Sequence, residues 1–468
     1  MAPIATSTHQ PAAAPTPASL KATPAADASP VAGRSNEQFW KSANDKLIGF
    51  GGGWMPVRIV KAKGTVLYDE KGNRLLDWTS GQMSSLLGHG HPEIVETVTK
   101  YVTNLDHLFS PMVSDPVLDL AERLTAMLPP GLDKCLFLST GSETNEAALK
   151  MAKMYTGGFE IVSLSASYHG MTHGAGAATF TVGRKGYGPQ VPGNFTLPVP
   201  YAYRSPFRHP DGSYDWKTEL DYGWDLIDRQ STGSLAACLV EPIVSTGGII
   251  PLPDGYLTAL KEHCRQRGML LIMDEAQTGM ARTGDMFGFE HEGVVPDILT
   301  LSKTLGCGLP LGATITSNEI ESVVRKRGFF YLTTHLNDPL VCAVGAKVCD
   351  IVVREDMPRQ AREKGALLRA GLLRLQEKYP QYIGDVRGRG LLQGIEIISD
   401  AKTKAPGSKL GAAVADRCME LGLSCNIVSL PALSGVFRLA PPVTITPEEI
   451  EEGLQIMDRA FAECIDKL

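Results

Sequence analysis

The 468-residue chain has no uninterrupted apolar run of the roughly 18 residues that a membrane-spanning helix needs. It has no excess of positive charge. The formal net charge is −6, which disfavours a nucleic-acid partner. It has no Cys-x-x-Cys pair: nine cysteines are scattered singly, as suits reduced thiols in a cytosol-like compartment. Residues 1–35 lack the apolar core of a secretory signal and carry only Lys21 and Arg34 as cations, where a mitochondrial leader is Arg-rich and amphipathic. A cytoplasmic location is therefore the expectation, with a mitochondrial one as the alternative. The same Ala/Pro/Ser/Thr-rich tail is too poor in large apolar side chains to fold and is predicted to be disordered. Gly88-His-Gly-His-Pro92 has no further clustered ligand, so it reads as a loop and helix start rather than a metal site.

What is present is an ordinary globular composition, 43% hydrophobic and 21% charged, over a length that calls for two domains around one site. Strand and helix patterns alternate up to about residue 340, which predicts an α/β fold: a mostly parallel sheet flanked by helices. Residues 185–225, rich in Gly, Pro, Tyr and Asp, read as an irregular excursion. Two short apolar runs end at chemistry. Gly268–Met273 delivers Asp274, and Pro296–Leu301 delivers Ser302-Lys303. Ligands of open α/β sheets collect at the carboxyl ends of strands. A buried amine and a buried acid delivered there suit pyridoxal 5'-phosphate, which needs a lysine for its Schiff base and a carboxylate facing its pyridinium nitrogen. The same pair would also serve as a structural ion pair under a loop. Thr140-Gly141-Ser142, between the strand Cys135–Leu138 and a helical pattern, offers free N–H groups to a phosphate. Tyr168, after the strand-like Glu160–Leu164, offers a ring to stack on a flat heterocycle.

With Glu143, Tyr168-His169-Gly170, Asp274–Gly279 and Ser302-Lys303, the chain from about Phe39 onward resembles the class III (subgroup II, omega) aminotransferases, fold-type I pyridoxal-phosphate enzymes. Thr79–Met83, Asp106–Ser110, Thr333–Asp338 and Gly435–Pro442 are similar to the narrower pattern of the 2,2-dialkylglycine decarboxylases.

The resemblance implies a large pyridoxal-phosphate-binding domain over 79–344 and a smaller α+β domain over 345–468, with segment 36–78 packing on the smaller one. It implies a homodimer with the site at the interface, or a homotetramer, acting on small amino and 2-oxo acids. Lys303, Gln82 and Arg438 would be catalytic. Asp274 would face the pyridine nitrogen and Gln277 the phenolic oxygen, Tyr168 would stack, and His169 would position the ring. Thr140, Gly141 and Ser142 would hold the phosphate, with Thr334 reaching it from the neighbouring subunit. Gln82, Ser84, Trp54, Tyr168, Met171, Thr246 and Arg438 would line the substrate pocket. Main-chain carbonyls of Leu108 and Leu336, with Ser110, Thr334 and Asp338, match a potassium site, and hard oxygen donors suit such an ion. The implied reaction converts a 2,2-dialkylglycine and pyruvate to a ketone, CO2 and alanine. The alternative is a non-decarboxylating omega-aminotransferase or a racemase. Tyr168 stands where the decarboxylases carry Trp, and Thr246 where they carry Ser, which leaves the fitting alkyl groups open.

Overall fold

The computed structural model describes residues 33–51, 53–182, 184–428 and 435–467; nearly all of the tail predicted to be disordered lies outside them. The chain falls into two units that adjoin in sequence at Val60 and Lys61. In the first, helix Asn36–Lys46 opens on a capping box. Ser35 Oγ accepts from Gln38 N at 3.1 Å, and Gln38 Oε1 accepts from Ser35 N at 3.0 Å.

The second unit is built around a seven-stranded sheet. Its strand order is Lys134–Leu138, Gly312–Thr316, Ile298–Leu301, Leu270–Asp274, Leu235–Val240, Glu160–Leu164, Asn194–Leu197. All strands run parallel except Gly312–Thr316, which is antiparallel to both neighbours. The strands read as continuous apolar runs because both faces are covered. Leu270 and Ile272 pack with Ala148, Leu149 and Ala152 of helix Gly141–Thr156, while Leu271 and Met273 join the larger core on the opposite face. The expected irregular stretch 185–225 is only partly irregular: it supplies edge strand Asn194–Leu197 and the start of helix Trp216–Gln230. Its Gly/Pro density hid a short strand that takes its order from pairing with Glu160–Leu164.

Beyond helix Pro339–Arg354 the chain turns at Asp356 (φ +47°), with Pro358 in the first turn of helix Met357–Lys378. Strands Ile383–Arg389, Leu392–Asp400, Val436–Leu439 and Asn426–Val428 then form an antiparallel sheet. Helix Pro447–Ile465 buries Ile450, Leu454, Met457 and Phe461. Strand Arg74–Asp77 pairs in parallel with Leu423–Ser424, and the fully buried Trp78 lies against Gly453 of the last helix. A Cβ at Gly453 would come within 2.2 Å of the indole. Gly453→Ala is therefore expected to cost about 1–3 kcal/mol of stability, read as a lowered midpoint in urea unfolding.

No helix among the described residues is long and apolar enough to cross a membrane. All nine cysteines are free thiols, and burial raises the Cys307 thiol pKa, as suits a packing residue.

Candidate active site

Parallel strands deliver their C-terminal residues to one edge of the sheet, and five of them lead to functional groups there. Asp274 ends its strand buried, and each of its oxygens is engaged. Oδ2 accepts from His169 Nδ1 and from Asn145 Nδ2, both at 2.8 Å, and Oδ1 accepts from Ala276 N at 3.1 Å. Burial alone would raise its pKa. The His169 hydrogen bond, with the nearby charges and Asn145, outweighs burial and holds the carboxyl below the usual range. Asn145 is itself fixed, its Nδ2 donating to His169 O at 2.8 Å and its Oδ1 accepting from Thr300 Oγ1 at 2.9 Å. His169 Nε2 is buried without a hydrogen-bond partner among the described residues.

Lys303 opens the short turn Lys303–Gly306 with φ +39°, a left-handed conformation that a side-chain-bearing residue adopts only when its surroundings impose it. Burial lowers its ammonium pKa, against the opposing charges of Asp274 and Glu241. Among the described residues no carboxylate lies within 4 Å of its Nζ, since Asp274 is taken by His169 and Asn145. The structural ion pair that the sequence also allowed is therefore not formed.

Helix Gly141–Thr156 begins beside this turn. Its cap is a capping box: Thr140 Oγ1 accepts from Glu143 N, and Glu143 Oε2 accepts from Thr140 N and Ser139 N. The Thr140 oxygen accepts in the cap and keeps its O–H to donate, and the N–H groups of Gly141 and Ser142 have no acceptor among the described residues. A Cβ on Gly141 would meet Ser302 at 3.3 Å, so the glycine keeps open a cradle next to Lys303. Ser142 Oγ accepts from Met171 N at 3.2 Å. Gly170 (φ +134°) lies so close that a Cβ would reach 2.2 Å from that hydroxyl.

Tyr168 is half-buried, and its N–H donates to Glu241 Oε1 at 3.1 Å. Glu241 ends strand Leu235–Val240, and its Oε2 accepts from Ser245 N at 3.1 Å. Burial pushes its carboxyl up to about 7, against the pull of His169. Gln277 Oε1 accepts from Ser245 Oγ at 2.6 Å, and its Nε2 lies 3.5 Å from Thr246 Oγ1. Arg438, 8% exposed, donates from Nε to Asn426 Oδ1 at 3.0 Å and from Nη1 to Thr246 Oγ1 at 3.4 Å. It has no acid partner among the described residues, and burial pushes its pKa down to about 10 despite Glu241.

Gln82 sits on a loop packed against the Lys303–Gly306 turn. Ser80 (φ +48°), Gly81 (φ +63°) and Met83 (φ +61°) are all left-handed, and Ser80 Oγ donates to Ala440 O, two residues past Arg438. The Gln82 amide is exposed and makes no hydrogen bond among the described residues. Ser84 follows, half-buried. Trp54 belongs to the unit ending at Val60, where its ring meets Phe50 edge-on at 5.2 Å.

The loops expected to hold an alkali ion do meet. Ser110 Oγ donates to Thr333 O at 3.3 Å, while Leu108 and Leu336 are half-buried and Thr334 is exposed. Both Asp338 oxygens, however, already face imidazoles: His107 Nδ1 at 2.6 Å and His335 Nδ1 at 2.5 Å. Each of these oxygens keeps a second lone pair, so the two imidazoles do not by themselves close Asp338 to a potassium ion.

The sequence reading passed over Asn145, Glu241, His107 and His335. Glu241 carried the same signal as Asp274, an acid closing an apolar strand. Asn145 was a lone amide on the helix face otherwise lined by Ala148, Leu149 and Ala152.

Known proteins agree with this construction. The class III aminotransferase family profile matches residues 50–461. An uncharacterized aminotransferase of Schizosaccharomyces pombe is 55% identical over 423 residues, covering 90% of this chain and 94% of that protein. The mitochondrial alanine–glyoxylate aminotransferase 2 homolog 2 of Arabidopsis thaliana is 36% identical over 87% of this chain and 83% of its own length. Among solved structures, a thermostable (S)-enantioselective omega-transaminase from Thermomicrobium roseum superposes with a TM-score of 0.83 at 31% identity, over 93% of this chain and 99% of that one. A fold-type I sheet presenting a lysine and an acid from adjacent strands, under a profile that spans most of its length, makes this chain a pyridoxal-phosphate-dependent class III aminotransferase.

Proposed function

We propose that this aminotransferase is a decarboxylating transaminase that takes 2,2-dialkylglycines as amino donors and pyruvate as acceptor. The observation that supports the reading is a pair of side chains suited to carboxylates: among the described residues Gln82 is neutral and makes no hydrogen bond, and Arg438 has Asn426 and Thr246 as partners but no acid.

The residues fit pyridoxal phosphate. Gly141 keeps a cradle open beside Lys303, and among the described residues the buried His169 Nε2 has no hydrogen-bond partner and the Lys303 amine no ion-pair partner. Bound there, the cofactor supplies an electron sink for the charge left when a bond to the substrate Cα breaks. The N–H groups of Gly141 and Ser142 bind its phosphate, Asp274 holds a proton on its ring nitrogen, and Gln277 directs an N–H to its phenolic oxygen. Tyr168 covers one face and His169 positions the ring. Gln82 orients the departing carboxylate without the ionic grip that would oppose loss of CO2. Arg438 grips the carboxylate of pyruvate and then of alanine with a planar fork. Lys303, its pKa lowered by burial, moves the proton that the product carbon receives. Ser84, Met171 and Thr246 shape the pocket, Thr334 serves the phosphate of a second copy in a dimer, and the chain acts in the cytoplasm.

The purified protein, given pyridoxal phosphate, 2-aminoisobutyrate and pyruvate, is expected to form CO2, acetone and alanine in equal amounts. Alanine without CO2 would overturn the decarboxylase reading and leave amino transfer, the activity named for the Arabidopsis relative. Running the assay in potassium and in lithium tests the ion site: equal rates would remove potassium from the proposal.

Glu241 supplies a pH prediction. Its carboxyl, pushed up to about 7, is neutral below that pH and negative above it, and the negative form offsets the Arg438 charge. The KM for pyruvate is therefore expected to rise about 3- to 10-fold from about pH 6 to about pH 8. In Glu241→Gln the KM should stay near its low-pH value throughout.

A further inference from the structure

Away from the site, segment 202–212 and the turn at Thr403-Lys404 line two adjoining open surface cavities of about 520 and 220 Å3, which share Tyr203, Arg208 and Lys404. Arg204 and Ser205 wall the smaller, and Asp385 the larger. Arg208 donates from Nε to Ser205 O at 3.1 Å and from Nη2 to Ala202 O. Lys404 Nζ donates to Tyr203 O at 2.7 Å and lies 4.3 Å from that ring's centroid. Backbone carbonyls thus fix both cationic heads without neutralising them. Neither head has a carboxylate within 4 Å among the described residues.

The nearby acids are engaged elsewhere. Asp385 pairs with Arg387 at 3.0 Å, and Glu396 takes Arg204 at 2.5 Å, Arg387 at 2.8 Å and the Tyr201 hydroxyl. Asp400 holds Thr403, and Asp211 holds Ser213. A guanidinium has five N–H donors and an ammonium three, so most of those on Arg208 and Lys404 remain available. Lys404 is also held at φ +58°, a strained conformation for a lysine.

The cavity is wired to the substrate pocket. Glu396 lies on strand Leu392–Asp400, whose Gly394 pairs in register with Arg438. Arg387, the other partner of Glu396, donates to Gly248 O at 2.7 Å and to Ile249 O at 3.0 Å, on the loop that follows Thr246.

We propose that this cavity is an effector site for a small multivalent oxyanion, phosphoryl or polycarboxylate, gripped by Arg204, Arg208 and Lys404. Anion binding competes with Glu396 for Arg204, and the freed Glu396–Arg387 pair resets the loop and strand that frame Arg438.

Calorimetric titration of the cofactor-loaded protein in low-salt chloride buffer, with inorganic pyrophosphate in one arm and citrate in the other, tests this. The loaded cofactor already fills the active-site phosphate cradle. Saturable binding of either probe, one per chain, is expected, with an accompanying change of about 2-fold or more in the KM for the 2-oxo acid. The pair of substitutions Arg208→Gln and Lys404→Gln should weaken binding at least about 10-fold and abolish the KM change. Gly212→Asp, which adds a carboxylate at a position whose φ of +84° an aspartate tolerates, should do the same without touching either cation. The arm that binds identifies the anion class. No saturable binding, equal binding in both altered proteins, or binding that leaves KM unchanged would each overturn the proposal.

Discussion

Lys303→Ala is expected to lower kcat for amino transfer by about 10⁴-fold while the fold persists. The lysine opens its turn at φ +39° and has no carboxylate within 4 Å among the described residues, so its amine contributes little to holding the structure together. Alanine can occupy the same backbone conformation, because the turn is fixed by its neighbours: Leu305 N donates to Ser302 O at 3.0 Å, and Leu305 is fully buried. In the proposed role of Lys303, what is lost is the covalent anchor of the cofactor and the base that moves the Cα proton. Burial lowers the ammonium pKa, so the wild-type amine is available nearer neutral pH than a free lysine would be. Two measurements check the expectation. The absorbance of the cofactor-loaded variant should be that of a cofactor held without a covalent bond. Millimolar methylamine should restore part of the rate, because a small amine can enter the volume that the side chain vacates. A variant that kept a tenth of the wild-type rate without added amine would remove Lys303 from its role.

The contrast between what the sequence disclosed and what it hid follows from distance along the chain. Asp274, Lys303 and Thr140 were legible because each closes a short apolar strand, and strand ends are where an α/β sheet displays its chemistry. The helix Gly141–Thr156 was legible from its helical pattern after the small-residue turn Thr140-Gly141-Ser142. The partners that set the electrostatics were not. Asn145 meets Asp274 across 129 residues of sequence, and His107 meets Asp338 across 231. No local pattern encodes such a meeting; it follows from the order in which strands pair. The same limit explains the alkali-ion expectation. The oxygen donors could be read off two segments, but the two imidazoles that converge on Asp338 could not. It also explains strand Asn194–Leu197, which lies at the sheet edge in a Gly/Pro-rich stretch with no alternation of its own.

Asp274→Asn is expected to reduce kcat roughly 10³-fold, with the loss in kcat rather than in the KM for either substrate. The side chain is nearly isosteric, and its amide oxygen, placed at the Oδ2 position, keeps the bonds from His169 Nδ1 and Asn145 Nδ2 and gives up the one from Ala276 N. The change lies in charge. The wild-type carboxyl is held below the usual range by His169 and Asn145, so it stays negative through the whole pH range in which Glu241 titrates. A fixed negative charge is what keeps a proton on the ring nitrogen of the cofactor, and a neutral amide does not. The same substitution removes the charge that opposes the burial of the Lys303 ammonium, so the lysine pKa should fall further. The two effects separate experimentally. Loss of ring protonation lowers kcat at every pH, while the Lys303 effect moves the pH at which kcat changes toward acid. Measuring kcat for Asp274→Asn across about pH 5 to 9 should therefore give a profile that is both lower and acid-shifted. A profile that is lower but unshifted would mean that Asp274 and Lys303 do not sense each other. A profile at wild-type height would exclude Asp274 as the ring-nitrogen partner.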